Sequence, residues 1–304
     1  MITVLGPTAS GKTTFAAHLA YALDGEIISA DSRQVYRGMS IGTGKDLTEY
    51  TVNGKVVPYH LIDIADPGYE YNIYEYQQDF LGAYSNIVSR GKLPILCGGS
   101  GMYLESVLKK YQLKKMDPSP EPIETLSQKT DSELKDLLLS LKIQHNTTDL
   151  LDRSRMIRAI LIGMSPDEMA KEKVFPEQIT SFVFGIYWDR AMLRERITRR
   201  LQTRLEQGMI EEVKELLNKG LTFEQVKFYG LEYRYITLYL EKKLDYDEMF
   251  RLLNIAIHQF AKRQMTWFRK MEKSGLKIHW LHGENNPDQN ILEVLSIINF
   301  KKNH

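Results

Sequence analysis

A glycine-rich stretch near the start of the chain, GPTASGKT, directly follows the short apolar run ITVL. Its spacing is that of the G-x-x-x-x-G-K-[ST] loop, in which glycines let main-chain amides turn inward around phosphate oxygens. The lysine adds a positive charge, and the final hydroxyl can ligate magnesium. Such a loop lies between a strand and a helix, so it predicts an α/β fold that binds phosphate. Its signature residues here are Gly6, Gly11, Lys12 and Thr13.

Strand and helix patterns alternate over the first hundred residues, as expected for a parallel sheet covered on both faces. The predicted strands are ITVL, EIISA, YHLIDI (Tyr59 to Ile64) and LPILC, and helices are predicted from Thr13, Asn72 and Met102. Three prolines between Met116 and Glu124 interrupt the alternation, and helical patterns alone follow to about Pro176. The strand pattern SFVFGIYW then returns. Later segments are predicted as two long amphipathic helices, Arg190–Asn218 and Asp247–Lys273, with a shorter helical stretch between them and a last strand in KIHWLH.

These patterns predict two domains. The first is a P-loop NTPase-like core, residues 1–115 and 181–304, in which helices cover both faces of a parallel sheet. The second is a helical insertion domain, residues 116–180.

Composition excludes several classes of protein. The 40 Lys and Arg residues nearly balance 39 Asp and Glu residues, so any site for a polyanion must come from local basic clusters. A single cysteine excludes an intramolecular disulfide and a multi-cysteine zinc module. No run approaches the roughly 18 apolar residues of a membrane helix, and the N-terminal strand leaves no room for a signal peptide. We therefore expect a cytoplasmic protein without membrane contact, and a monomer.

Two further motifs follow predicted strands. Asp31, in SADSRQVYRGMSIGTGK, should face the loop because parallel strands place ligands at their carboxyl ends. A carboxylate there can bind magnesium through water or act as a general base, although a turn aspartate that caps SRQ is the simpler alternative. The second motif, GGSGMY (98–103), is compatible with turn geometry alone.

The glycine loop itself does not identify its ligand. NKGL at Asn218 lacks the aspartate of a guanine-binding segment, and no adenine-binding signature is evident. A nucleotide and a non-nucleotide diphosphate both remain possible at this point.

Five motifs in one order resemble the tRNA dimethylallyltransferase (isopentenyl-tRNA transferase) family. They are GPTASGKT, SADSRQVYRGMSIGTGK, YHLIDIADP, GGSGMYL and QFAKRQMTWFRK. The resemblance is collinear and spans nearly the whole chain, including the helical insertion. Five collinear motifs are therefore more specific evidence for a family than the glycine loop alone.

The resemblance implies a reaction. The loop would hold the diphosphate of dimethylallyl diphosphate, and the acceptor would be the exocyclic amine of the adenosine 3′ of the anticodon, in tRNAs that read codons starting with U. Asp31 matches the family's general base, and Lys12, Thr13 and Mg²⁺, ligated by Thr13, would stabilise the leaving diphosphate. The diphosphate-binding residues implied are Gly6, Thr8, Ala9, Ser10, Gly11, Lys12 and Thr13.

The resemblance also implies contacts with the tRNA anticodon stem-loop, whose target base is flipped out of its stack. The implied residues are Asp31, Ser32, Arg33, Gln34, Ser100, Arg155, Arg158, His258, Lys262, Arg263 and Gln264. Arg155 and Arg158 are three residues apart and share a helix face. For the helix around His258 the alternative is a packed amphipathic element with solvated charges. We expect Phe260 and Trp267 to pack in the core, and His60 and Cys97 to be structural.

One position departs from the family pattern. Many members have Gly-Tyr-Arg or Gly-Tyr-Lys where this chain has GLEYR, so the basic residue falls on Glu232 without a gap, or on Arg234 with a shift of two. In the family this residue contacts the donor diphosphate, and Arg234 is assigned to the role.

The chain lacks the C-terminal zinc finger of eukaryotic cytosolic members, which indicates the bacterial type. Three alternatives remain: a P-loop small-molecule kinase, a prenyltransferase of free adenine nucleotides, and a non-catalytic RNA-binding regulator.

Overall fold

The computed structural model describes residues 1–113, 120–141, 153–164, 175 and 179–302. The chain divides into two compact units. The larger unit comprises Met1–Lys110 and Phe175–His304, and the smaller one Tyr111–Val174.

The larger unit is built on a six-stranded sheet with the order β5-β2-β6-β1-β7-β8, in which every pair is parallel. Its strands are β1 (Ile2–Leu5), β2 (Gly25–Ala30), β5 (Tyr59–His60), β6 (Leu93–Gly98), β7 (Phe182–Tyr187) and β8 (Ile278–His282). A separate antiparallel pair consists of β3 (Thr51–Val52) and β4 (Lys55–Val56). Both β1 and β2 are buried along their whole length, which is typical of central parallel strands covered on both faces.

The helices are numbered through both units. Those of the larger unit are α1 (Lys12–Ala22), α2 (Ile73–Ser89), α3 (Gly101–Leu108), α7 (Arg190–Glu206), α8 (Met209–Asn218), α9 (Phe223–Phe228), α10 (Leu231–Leu240), α11 (Tyr246–Lys273) and α12 (Pro287–Lys302), with a 3₁₀ turn at Leu47–Tyr50. Those of the smaller unit are α4 (Pro120–Ser127), α5 (Asp131–Ser140) and α6 (Arg153–Met164).

Neighbouring residues of β1 point to opposite faces of the sheet and enter different cores. Val4 packs with Phe15 and Leu19 of α1 and with residues of α12. Leu5 belongs to the core formed with α2, α3 and the C-terminal half of α11. Helices therefore cover both faces, as predicted. Among the described residues, no helix is long and apolar enough to cross a membrane.

A third apolar cluster joins α7, α8, α10 and α11. Leu201 of α7, Val213 of α8, Tyr233 of α10 and Leu253 of α11 are all buried in it, together with Met39 of the segment after β2. This packing fixes α7 and α10 beside the glycine loop.

Two predicted elements differ from the structure. The helix predicted over Arg190–Asn218 is two helices, because Gly208 adopts a left-handed conformation with φ 97° between them. The strand predicted over Tyr59–Ile64 ends at His60, because Leu61 and Asp63 have positive φ angles of 62° and 55° that no strand accommodates. The prediction at Asn72 is confirmed: its side chain and that of Glu75 form a reciprocal capping box at the start of α2.

In its described residues, the smaller unit contains three helices and no strand. Leu126, Leu134, Met156 and Ile160 form its apolar core. Arg155 and Arg158 are both exposed on α6, whereas Met156 between them is buried. Their contact with tRNA stays a prediction.

His60 pairs with a buried carboxylate, Glu26, at the start of β2. Glu26 accepts hydrogen bonds from both terminal nitrogens of Arg90, at 2.7 Å for Nη2, and its Oε2 lies 2.8 Å from Nε2 of His60. The Arg90 hydrogen bonds, with a smaller contribution from His60, lower the pKa of Glu26 from 4.5 to about 2. His60 is therefore a hydrogen-bonded structural residue, as expected.

Arg90→Met is expected to lower the free energy of unfolding at pH 7, because it leaves the buried Glu26 carboxylate without its guanidinium. A carboxyl group with a lowered folded-state pKa stabilises the protein above its unfolded pKa of 4.5, and this contribution disappears as the pH falls toward 2. The difference from wild type should therefore be constant above about pH 5.5 and shrink below pH 4.5. Urea titrations across this range measure it. Lys92→Met, which breaks an exposed pair with Asp24, is the control, and a difference that did not change with pH would contradict the assignment.

Candidate active site

The glycine loop connects β1 to α1 at the carboxyl edge of the sheet. Ala9 and Gly11 have left-handed φ angles of 60° and 82°, which turn the chain back toward the first turn of α1. Gly6 lies close to Ser10: a Cβ at position 6 would be 2.6 Å from the Ser10 hydroxyl oxygen, which would have to move. The loop therefore leads directly into the N-terminus of α1, as the sequence predicts, and its binding of phosphate stays a prediction.

Residues far away in sequence hold the outward side of this loop. Nε of Arg196 donates to the Ala9 carbonyl oxygen at 2.9 Å, and Nε1 of Trp188 donates to that of Ser10 at 2.8 Å. The Arg196 guanidinium also stacks 4.1 Å above the Trp188 ring. Neither residue was predicted from the sequence, because nothing in their local pattern shows that they return to the loop.

Gln264 of α11 joins the loop to the second glycine-rich turn. Its Oε1 accepts the Thr8 amide at 2.8 Å, and its Nε2 donates to the Gly99 carbonyl oxygen at 2.9 Å. The side chain is buried. Gln264 is therefore a structural brace in the protein, and its predicted contact with tRNA stays a prediction.

Asp31 and Ser100 follow β2 and β6, two strands that pair directly. Oδ1 of Asp31 accepts the Arg33 amide at 3.0 Å, which is the turn cap that the simpler interpretation expected. Oγ of Ser100 accepts the Ser32 amide at 3.0 Å. Asp31 is nevertheless only half-buried and lines the same cavity as the loop. Asp31 can therefore cap the turn and also belong to the candidate site.

One open cavity of about 940 Å³ contains most of the predicted site residues. They are Thr8, Ala9, Ser10, Gly11, Lys12, Thr13, Asp31, Ser32, Arg33, Gln34, Ser100, Arg234, Arg263 and Gln264. The structure thus brings the predicted donor loop, the predicted base and part of the predicted RNA-contacting set around one space.

Two residues of the predicted RNA-contacting set on α11 lie outside this lining. Nε2 of His258 is 3.4 Å from the Thr198 hydroxyl, and burial lowers the pKa of His258. Lys262 is exposed. The prediction that Phe260 packs in the core is wrong, since it is 39% exposed and lines the cavity. Trp267 does pack, with its ring against Gly101, where a Cβ would lie 2.5 Å away.

Lys12 is half-buried at the start of α1 and lines the cavity. Its Nζ donates to the Pro7 carbonyl oxygen at 3.4 Å. Burial lowers its pKa, and the nearby Asp31 carboxylate opposes that shift. Cys97, whose Sγ donates to the Lys12 carbonyl oxygen at 3.7 Å, is buried, and burial raises its pKa to about 12. The prediction that Cys97 is structural is confirmed.

Helix α7 supplies a row of arginines to the cavity, at Arg196, Arg200 and Arg204, with Arg199 beside them. Their spacing of four residues places the three on one helix face. The sequence contains this signal, but an arginine row is also typical of a solvated helix face, so the sequence alone does not assign it to the site. Glu232 lies among these arginines, and burial raises its pKa.

The cavity lining includes side chains of the chemical types that ligate magnesium. Thr13, Asp46 and Glu49 line the cavity, and hydroxyl and carboxylate oxygens are ligands that Mg²⁺ accepts together with phosphate oxygens and water. Within the described ranges, no group of three or more His, Cys, Asp and Glu residues is able to hold a metal by itself. A magnesium ion here would therefore depend on the phosphate of a bound ligand.

Comparison with known proteins gives the family. The IPP transferase family model matches residues 34–271, and the isopentenyl transferase model matches residues 1–55. The chain is also 54% identical over 299 residues to tRNA dimethylallyltransferase 1 of Parabacteroides distasonis, covering 98% of this chain and 97% of the relative. The chain belongs to the tRNA dimethylallyltransferase (IPP transferase) family.

Other members of the family agree in sequence and fold. tRNA dimethylallyltransferase 2 of Bacteroides fragilis is 56% identical over 285 residues, 92% of each chain. The crystal structure of a tRNA isopentenylpyrophosphate transferase from Bacillus halodurans superimposes with a TM-score of 0.71 at 30% identity, covering 99% of this chain and 95% of that one. The family resemblance and the P-loop-like α/β fold expected from the sequence are confirmed.

Proposed function

We propose that this tRNA dimethylallyltransferase family member transfers a dimethylallyl group from dimethylallyl diphosphate to the exocyclic amine of the adenosine 3′ of the anticodon, in tRNAs that read codons starting with U. The observation that carries the proposal is the cavity in which a phosphate loop and a carboxylate face one space. The names of the relatives support dimethylallyl transfer to tRNA. We propose that it acts as a cytoplasmic monomer.

In this proposal the glycine loop binds the diphosphate of dimethylallyl diphosphate. The bond between the first carbon of the dimethylallyl group and the diphosphate oxygen breaks, and the leaving diphosphate takes the electron pair. Main-chain amides of the loop and the Lys12 ammonium are proposed to stabilise that charge. Magnesium, held by the Thr13 hydroxyl and the diphosphate, would supply further positive charge there.

In this proposal Asp31 acts on the acceptor, the adenine amine, as a general base. The exocyclic amine of adenine is a weak nucleophile because its lone pair is delocalised into the ring. As its nitrogen bonds to the first carbon of the donor, it must lose a proton, and Asp31 is proposed to accept it. The products are the prenylated adenosine, diphosphate and a protonated carboxyl group that returns its proton to water.

The mouth of the cavity offers surfaces for unstacked bases. The Arg33 guanidinium lies 5.5 Å from the centre of the Phe228 ring, and that of Arg263 lies 5.9 Å from the Phe260 ring. Both rings are exposed. Exposed aromatic and guanidinium planes stack with single-stranded bases, so these pairs offset part of the few kcal/mol that base flipping costs.

The deciding experiment is incubation with labelled dimethylallyl diphosphate and unmodified tRNA, with the modified nucleoside identified by mass. Label in the adenosine 3′ of the anticodon supports the proposal. Label in adenosine monophosphate but not in tRNA would identify an enzyme of free nucleotides. ATP-dependent phosphoryl transfer to a small molecule would identify a kinase, and tRNA binding without either reaction would identify a regulator.

Lys262→Ala is expected to weaken tRNA binding and to lower the slope of log affinity against log salt by about one unit, since one phosphate contact is lost. Lys262 is exposed on the same helix as Arg263, which faces the cavity. Filter binding between 50 and 300 mM salt, about the range over which such slopes are resolved, measures the effect. The matched control is Lys273→Ala, at the exposed end of α11. Equal slopes for the two variants would remove Lys262 from the RNA contacts.

A further inference from the structure

Arg204 is the most deeply buried arginine of the cavity. Its residue is 7% exposed, and the pair that Nη2 makes with Oδ2 of Asp46 spans 3.7 Å, beyond hydrogen-bond distance. Among the described residues, this Nη2 finds no hydrogen-bond partner. A buried guanidinium nitrogen without a partner is costly unless another group completes its bonding.

Arg204 lies beside the glycine loop. Its side chain lines a narrow recess together with Thr8 and Ala9 of the glycine loop, and the same side chain faces the main cavity. Burial, followed by the neighbouring Arg200, lowers the pKa of Arg204 to about 10. Two guanidinium groups, those of Arg200 and Arg204, thus lie beside the glycine loop in this recess, with Asp46 next to both.

Gly44 packs directly against the Arg204 guanidinium. A Cβ on Gly44 would lie 1.9 Å from Nη2 of Arg204 and 2.6 Å from Nη2 of Arg200. Gly44 also has a left-handed φ of 68°. Nη2 of Arg200 bonds to the Gly44 carbonyl oxygen at 3.4 Å and to Asp46 at 3.3 Å. The glycine thus allows the segment to close directly over both arginines.

Glu232 accompanies Arg204 in the recess. It lies on the first turn of α10, and burial raises its pKa while the nearby Arg204 lowers it. Arg234, two residues later, is exposed and lines the outer part of the cavity. A carboxylate beside the loop repels phosphate but attracts the neighbouring guanidinium of Arg204, with which it lines the recess.

We propose that Arg204 is a ligand of the donor diphosphate, with Glu232 as its positioning residue, in place of the basic residue expected at position 232 or 234. The proposal rests on the function proposed above. It assigns to α7 the guanidinium that binds the phosphate opposite the loop amides.

Binding of inorganic diphosphate, measured by titration calorimetry with Mg²⁺ present, tests this without any prenyl transfer. Arg204→Met should weaken binding by about 10- to 100-fold, the value of one or two charge-assisted hydrogen bonds, and raise the KM for dimethylallyl diphosphate without changing tRNA affinity. Arg204→Met with Glu232→Arg should restore binding to within about threefold, because one guanidinium then enters the same recess from α10. Arg190→Met, exposed on α7 outside the cavity, is the control.

Three outcomes would overturn the proposal. They are unchanged diphosphate binding in Arg204→Met, a loss in Arg234→Met as large as that expected for Arg204, or a double variant no better than the single one. Should Arg204→Met fail to fold by circular dichroism, Arg204→Gln keeps a polar side chain but removes the charge and the guanidinium fork, and unchanged binding in that variant has the same meaning. Failure of the proposed function itself would look different: the wild type would bind diphosphate but transfer no label to tRNA.

Discussion

Asp31→Asn is expected to lower the turnover number for prenyl transfer by about 10²- to 10⁴-fold, the range that general-base catalysis contributes. Asparagine keeps the side-chain oxygen that accepts the Arg33 amide, so the turn after β2 should survive. What it loses is the ability to take the proton of the adenine amine. The defect should therefore appear in single-turnover rates, and the dissociation constants of both substrates should change little.

The control for Asp31 is Asp66→Asn, an exposed carboxylate paired with Arg37 outside the cavity. Its rates should equal those of the wild type. Thermal unfolding of both variants identifies any loss of fold. Wild-type turnover in Asp31→Asn would exclude Asp31 as the base and reduce it to a turn cap.

Lys12→Met is expected to lower kcat/KM for dimethylallyl diphosphate by about 10²- to 10³-fold, as when one preorganised donor to a developing anion is removed. The tRNA dissociation constant should be unchanged. Because burial already disfavours the charged ammonium, the variant should unfold at the same or a higher temperature than wild type. A loss of activity together with a gain of stability separates a role in the reaction from a role in the fold.

Lys214→Met, an exposed lysine on α8, is the control for Lys12. The two variants are compared by initial rates at varied donor concentration and by calorimetric unfolding. If Lys12→Met lost stability and activity in proportion, its effect would be structural, and the proposed contact with the leaving diphosphate would be contradicted.

Local signals predicted the centre of the site. The glycine loop follows β1 and Asp31 follows β2, and the parallel sheet, with β6 between these two strands, brings both to the same edge. The same reasoning could not find Arg196 or Trp188, which reach the loop from more than 175 residues away in sequence. Such contacts depend on how α7 packs, and the α7 packing depends on a cluster shared with α8, α10 and α11.

Errors in the predicted elements have similar causes. A single glycine within a helical pattern is usually tolerated, so Gly208 did not indicate that two helices meet there. Leu61 and Asp63 belong to an apolar alternation that favours a strand, but their left-handed conformations are set by the tertiary turn that follows His60. Phe260 was expected to pack because aromatics on amphipathic helices usually do, whereas the open cavity leaves its ring exposed.

The strand order has a consequence for how the protein is made. β1 pairs on one side with β6 and on the other with β7, so a growing chain needs residues up to Tyr187 before its first strand has both neighbours. The side chains that brace the glycine loop come later still, at Trp188, Arg196 and Gln264. Long-range pairing of this kind slows folding, and the N-terminal segment must wait on the ribosome for its partners. The first motif to be synthesised is thus among the last to reach its working shape, and a nascent chain that stops short of α11 has no finished phosphate site.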